Sequence, residues 1–307
     1  MVTINHTVLD NDGTVKCFGN WFAEGILTAL PLIAPHLGVS IEELGERIGE
    51  NMVAARTHED AFVFRGAFFA SKWGNRPHAD FVKLVTIPFY TCLDRARDAN
   101  PLFEGASQTI KAFAAQSVGV HILSDAALYA TICKLKRLCA KGAISSIYAI
   151  ETVAPDPGEI WNQEDFNYCW QRVQRSLAIA ETFPNTRVVG LPRHAEKPNP
   201  TGLRRLMSDM GIKAEEALYI GDSLKKDGAV AADVGMLYFR FGTTPAPKEE
   251  ADVIDVLLNP AKADGPFSWH RSEAPEPPIH GIVNHWDEIL PKISRGDYDV
   301  NVTAGAC

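Results

Sequence analysis

Asp10 and Asp12 stand two residues apart in Asp10-Asn11-Asp12-Gly13-Thr14, directly behind the apolar run Ile4 to Leu9. Gly221-Asp222 follows the run Ala217 to Ile220, with Asp227 five residues later; Ser124 follows Val118 to Leu123, and Lys197 supplies one cation in RHAEKPNP. Three or four carboxylates gathered at one point repel each other, so a hard divalent cation such as Mg2+, which prefers oxygen ligands, is the natural counter-charge. One carboxylate of the Asp10/Asp12 pair can attack phosphorus while the other handles the proton. Ser124 and Lys197 can then stabilise the equatorial oxygens, so the set suits phosphoryl transfer.

The elements that must position these residues follow from apolar periodicity. Short apolar runs at Ile4 to Leu9, Val118 to Leu123, Ile147 to Ile150, Val188 to Leu191, Ala217 to Ile220 and Met236 to Phe239 alternate with helical patterns. That alternation predicts an α/β fold, a Rossmann-like parallel sheet flanked by helices, in which ligands bind outside the carboxyl ends of the strands. One such helix is Ala126 to Cys139, with Leu128, Ile132, Leu135 and Cys139 on one stripe.

Over 18–100 the strand signals stop and helix signals take over, with Ser40 and Glu43 as a capping box and Phe81, Leu84 and Val85 at helical spacing. This reads as a helical unit inserted into a core formed by 1–17 and 101–293. A second insertion, 151–186, carries an amphipathic helix marked by Phe166, Trp170, Val173, Leu177 and Ala180. A Pro-rich excursion spans 259–280, a last helix lies near Trp286 to Ile293, and 294–307 is a tail.

In order and spacing, DNDGT, the Ser of ILSDA, the Lys of EKPNP and GDSLKKD resemble the four motifs of the haloacid dehalogenase-like (HAD) superfamily. The resemblance covers about 200 of the 307 residues, each motif lying behind an expected strand. It implies that Asp10 is the nucleophile that becomes an aspartyl-phosphate, and that Asp12 protonates the leaving oxygen and then activates water. Ser124 and Lys197 would hold the phosphoryl group. Asp10, Asp222 and the main-chain carbonyl of Asp12 would bind Mg2+, with Asp227 ligating or orienting that shell. The insert over 18–100 would be a mobile cap. The first strand departs from the family in the polarity of Asn5, His6 and Thr7.

Simpler readings compete with each motif. DNDGT also resembles the start of a calcium-binding loop, but the required Gly and Glu positions hold Val15 and Trp21. Single Asp residues beside Gly are commonly turn formers, so the weight rests on the ordered set. In the insert, Arg65 within AFVFRGAFF and Lys72 nearby can read a substrate, although snorkelling to the surface is the commoner fate of such cations. Arg193 and His194 stand just before Lys197 and can border the site.

The whole-chain composition sets outer bounds. With 46% hydrophobic and 22% charged residues the chain has ample material for a core, and its 307 residues make about two domains. A net charge of −8 gives nucleic-acid binding no overall support. Six scattered cysteines form no C-x-x-C pair, and the amino terminus has no apolar signal core, which points to a reduced, cytoplasmic and soluble protein with no membrane partner. The expectation is a magnesium-dependent phosphatase of a small phosphorylated metabolite. A phosphomutase or phosphonate hydrolase on the same core, and a non-catalytic module sensing a phosphorylated ligand, are the alternatives. Oligomeric state is not encoded in any motif.

Overall fold

A strand covered by helices on both faces must be apolar on both sides, which is why its sequence reads as a continuous run rather than an alternation. Val8 and Leu9 illustrate this, since each is fully buried but in a different core on opposite faces of the sheet. The computed structural model describes residues 3–17, 19–138, 140–242 and 276–298. The described strands are β1 (His6–Leu9), β2 (Gly119–Ala127), β3 (Ile144–Ile150), β4 (Arg187–Leu191), β5 (Ala217–Gly221), β6 (Leu237–Phe241) and β7 (Gly281–Val283). They form a seven-stranded sheet in the order β4-β3-β2-β1-β5-β6-β7, with every neighbouring pair parallel.

That order places β1 between β2 and β5, where the progression of strands reverses direction, and such a switch point opens a crevice at the carboxyl ends. One core packs Leu9, Ile122 and Ile220 against α6 (Ala106–Ala115), α7 (Leu128–Leu135) and α11 (Ile289–Arg295). The other packs Val8, Tyr148 and Tyr219 against α9 (Thr201–Met210) and α10 (Ala229–Val234). The polar first strand has its explanation inside the sheet. His6 Nδ1 lies 3.2 Å from His121 Nε2, and His121 Nδ1 lies 2.8 Å from Ser146 Oγ, so polar groups on three adjacent strands satisfy one another.

Between β1 and α6 the chain is helical: α1 (Gly19–Leu37), α2 (Ile41–Ala55), α3 (Ala67–Trp73) and the continuous rod formed by α4 (His78–Phe81), a π-turn and α5 (Ile87–Ala99). Ser40 caps α2, its Oγ accepting the Glu43 amide at 3.1 Å. The outgoing and returning linkers are tied together by buried Lys16, whose Nζ donates to the carbonyls of Arg97 at 2.7 Å and Asn100 at 2.6 Å. Among the described residues no single helix is long and apolar enough to cross a membrane.

The helix after β3, α8 (Gln163–Ala178), does not stand apart from these helices. Its Cys169 and Val173 share one apolar core with Phe62, Phe64, Phe81 and Tyr90, and the Phe62 ring stacks on Phe166 at 5.4 Å. The expected stripe through Phe166, Trp170 and Leu177 is only partly buried, and the fully buried line runs through Asp165, Cys169, Val173 and Ser176. Cys139, 259–275 and 299–307 lie outside the described residues, whereas 276–280 leads into β7.

Candidate active site

The turn after β1 doubles back on itself. The amides of Val15 and Lys16 both donate to the Asn11 carbonyl at 3.0 Å, and Gly13 N–H donates to Lys16 O at 2.8 Å. Gly13 takes φ of +79°, and a Cβ there would fall 2.2 Å from Asp222 Oδ2. Only glycine lets this turn and the end of β5 approach so closely. Gly221 acts likewise on the other side, where a Cβ would meet Asp227 Cγ at 2.4 Å.

These close approaches bring together oxygens of Asp10, Asp222 and Asp227 within 4.8 Å of one another. The cation among them is Lys197, from the loop behind β4, whose buried Nζ donates to Asp10 Oδ1 and to Asp227 Oδ1 at 2.6 Å each. Asp227 is itself held, since Oδ1 also accepts the Tyr219 hydroxyl at 3.1 Å and Oδ2 accepts the Ser223 amide at 3.0 Å. Ser124 is buried at the start of a register shift where β2 bulges away from β3, and its Oγ accepts the Ala126 amide at 3.2 Å. Bulges of this kind re-aim side chains beside a site.

The electrostatics are those of a site short of positive charge. Burial pushes the Asp10 carboxyl well above the usual carboxylate range; Lys197 opposes that shift, while Asp227, Asp222 and Asp12 add to it. Burial, reinforced by Asp227, pushes Asp222 up to about 7. Burial alone would discharge Lys197, yet Asp10 and Asp227 hold its pKa well above the ordinary lysine value. One lysine against three carboxylates leaves negative charge in a buried place, and an all-oxygen donor set of that kind fits a hard divalent cation.

Asp12 stands differently from the other three. Its carboxylate turns to Lys134 of α7, which donates to Oδ1 and Oδ2 at 2.7 Å each and, on its other side, to Glu59 of the helical insert. Of the four aspartates expected at a metal, the side chains of Asp10, Asp222 and Asp227 converge, and that of Asp12 faces this lysine. Lys134 is fully buried, and burial also raises the Glu59 carboxyl, which Lys134 counteracts. Sequence reasoning passed over both residues. The one available signal was a lysine inside the otherwise uncharged run Leu128 to Leu135.

Arg65 and Lys72 are not brought to the carboxylates. Arg65 Nη1 pairs with Asp60 at 2.9 Å, Nη2 donates to Asn51 O at 2.7 Å, and Nε lies 3.6 Å from Glu159. Lys72 pairs with Glu43 at 3.1 Å over the ring of Phe68. Both cations are engaged by partners that only the tertiary fold supplies. Arg193 instead lines a cleft between insert and core, together with Glu59, Asp60, Asp125 and Glu196.

Residues 194–241 match the HAD-hydrolase-like family model, a segment containing Lys197, Asp222 and Asp227. No curated protein matches the chain. Among solved structures, the chain is similar to a HAD phosphatase from Thermococcus onnurineus, at 14% identity and a TM-score of 0.51, over 94% of this chain and 98% of that one. It is also similar to a 2-haloacid dehalogenase from Pseudomonas syringae, at 14% identity and a TM-score of 0.50, over 96% of this chain and 100% of that one. Likeness to a phosphatase and to a dehalogenase in equal measure fixes the fold and leaves the reaction to the residues of the site.

Proposed function

We propose that this chain, a haloacid dehalogenase-like hydrolase by its fold and its matched segment, is a magnesium-dependent phosphatase of a small phosphorylated metabolite. The observation that carries the reading is the buried Asp10 carboxylate, held at 2.6 Å by Lys197 and within 4.8 Å of Asp222 and Asp227. Halide displacement from carbon needs neither this anion-rich shell nor a second acid two residues on, and Asp12 is present. A divalent cation bound by Asp10, Asp222 and the main-chain carbonyl of Asp12 would supply the positive charge that lets a phosphate dianion enter.

In this mechanism one Asp10 oxygen attacks phosphorus while Lys197 and the Ser124 hydroxyl neutralise the charge spreading over the equatorial oxygens. The P–O bond to the leaving group breaks, and Asp12 delivers the proton that the departing oxygen needs. The resulting aspartyl-phosphate is opened by water, whose proton returns to Asp12. Asp227 takes no part in bond making; through Tyr219 and Ser223 it is fixed in place and fixes Lys197. Lys134 holds Asp12 in orientation, and because Glu59 on the insert grips the same ammonium, the insert and α8 act as a cap whose position reaches Asp12.

The test is a screen of phosphorylated metabolites with the purified full-length chain, in excess magnesium and after chelation. Phosphate release from at least one monoester, lost with chelator and restored by Mg2+, is the expected result; release that is indifferent to metal would overturn the mechanism.

A further inference from the structure

For one phosphoryl group to meet Ser124, Lys197 and the carboxylates together, loops that leave different strands must keep a fixed spacing. Ser124 stands in β2, Lys197 lies behind β4, and Asp227 sits on the π-turn Leu224–Gly228 behind β5. β4 and β5 are separated in the sheet by β3, β2 and β1, so strand pairing does not fix the Lys197 loop against the other two. The ammonium of Lys197 reaches Asp10 and Asp227, but the backbone from which it springs is anchored by a different residue.

That residue is Asp125. Between the pairs Ser124–Ala149 and Ala127–Ile150, Asp125 and Ala126 have no partner on β3, and a bulge of this kind turns a side chain out of the ladder. Asp125 Oδ1 accepts the main-chain amide of Lys197 at 2.9 Å, and Oδ2 pairs with the Lys226 ammonium of the π-turn at 3.1 Å. One carboxylate, next in sequence to Ser124, thus joins all three loops. Burial works against the charge on Lys197, and Asp125 adds to the support that Asp10, Asp227 and Tyr219 give it. Yet a negative charge beside a phosphate-binding serine also repels the dianion that the site must admit. Lys226 and Asp125 are only 23% and 17% exposed, so water and salt screen their pairing weakly.

We propose that Asp125 is a positioning residue for phosphoryl binding: its carboxylate sets the Lys197 backbone against Ser124, and Lys226 cancels the charge that this device would otherwise present to the phosphate. The inference rests on the phosphatase reading and deepens it, because it states what holds the two phosphoryl contacts in register. Asp125 touches neither the metal nor the reacting atoms. Lys226 therefore matters only while residue 125 carries a charge.

The experiment measures kcat and KM of the full-length protein on p-nitrophenyl phosphate with saturating Mg2+, and the Kd of inorganic phosphate by calorimetry. Lys226→Met leaves the carboxylate unpaired, and should raise KM and the phosphate Kd by roughly tenfold while changing kcat by less than about threefold. Asp125→Asn keeps an oxygen for the Lys197 amide and loses the charge. The double variant Asp125→Asn/Lys226→Met should therefore return both constants to within about threefold of the wild type. Asp125→Ala removes the acceptor, lets Lys197 shift, and should lower kcat/KM by roughly a hundredfold. All constants are read well below the unfolding temperature of each variant, so a change in stability alone moves none of them. If Asp125→Ala does not fold, the Lys226→Met and double variants decide. Losses that add in the double variant, an unchanged phosphate Kd in Lys226→Met, or near-native kcat/KM in Asp125→Ala would overturn the inference and leave the phosphatase reading intact. A wild type that binds phosphate but hydrolyses no ester would overturn the phosphatase reading, with the Kd comparison still deciding the role of Asp125; one that does neither would overturn both.

Discussion

Lys134 shows how much of this site depends on residues that have no motif. A fully buried ammonium between Asp12 and Glu59 is kept charged by those two carboxylates, against the burial that would discharge it. Lys134→Met leaves two carboxylates facing an apolar side chain, and breaking a buried pair in this way destabilises by about 3–5 kcal/mol. It should also lower kcat by roughly tenfold or more, because Asp12 is no longer oriented for proton transfer. Adding Glu59→Gln removes one uncompensated charge. The double variant should therefore regain stability in urea denaturation without regaining kcat; recovery of both would show that Lys134 serves folding alone. Gly13→Ala tests the close approach directly. A methyl group 2.2 Å from Asp222 Oδ2 must displace that carboxylate, so the magnesium concentration for half-maximal activity should rise by roughly ten- to hundredfold. An unchanged magnesium titration would remove Asp222 from the metal shell.

Among the elements, β1 to β6 were legible as apolar runs, continuous where a strand is buried on both faces as β5 is and short at the half-exposed edge strand β4, and the described β1 to β6 overlap each of those runs. β7, three residues behind a Pro-rich stretch, left no such pattern. The docking face of α8 was not legible either, because its partner is a set of helices about a hundred residues earlier, and that partner rather than periodicity decides which line is buried. The result is a carboxylate, Asp165, in the seam: burial raises it to about 7, and the hydroxyl of Thr86, which donates to it, partly opposes the shift. With a folded pKa above the unfolded one, the native state holds the proton more tightly, so stability falls as pH rises from about 4 to about 7. Asp165→Asn can still accept from Thr86 and has no charge to bury. It should stabilise the protein by on the order of 1–3 kcal/mol at pH 8 and by little at pH 4, read as unfolding free energy against pH. A stabilisation that does not depend on pH would contradict the account.

At the scale of the whole molecule, the carboxyl ends of β1, β2 and β5 gather a chemistry that no single segment holds, and this part of the site was readable because each motif abuts a strand end. Pairing of cations was not readable: Arg65 and Lys72 look available in the sequence and are engaged in the fold, whereas Arg193 looks like loop and lines the cleft. The concentration of buried negative charge also has a global consequence. Magnesium should raise the thermal unfolding temperature by several degrees at concentrations well above its Kd, since it binds only the folded site, and Asp222→Asn should reduce that rise. The central claim is that Asp10 carries out phosphoryl transfer, and Asp10→Asn tests it most directly because the amide keeps the shape and loses the nucleophile. The measurement is phosphate release from the best ester, with saturating Mg2+, alongside thermal unfolding of both proteins without metal. The account predicts turnover reduced by roughly a thousandfold or more, with an unfolding temperature no lower than that of the wild type, because a carboxylate that burial disfavours has been replaced by a neutral group. Turnover within a few-fold of the wild type would show that Asp10 is not the nucleophile.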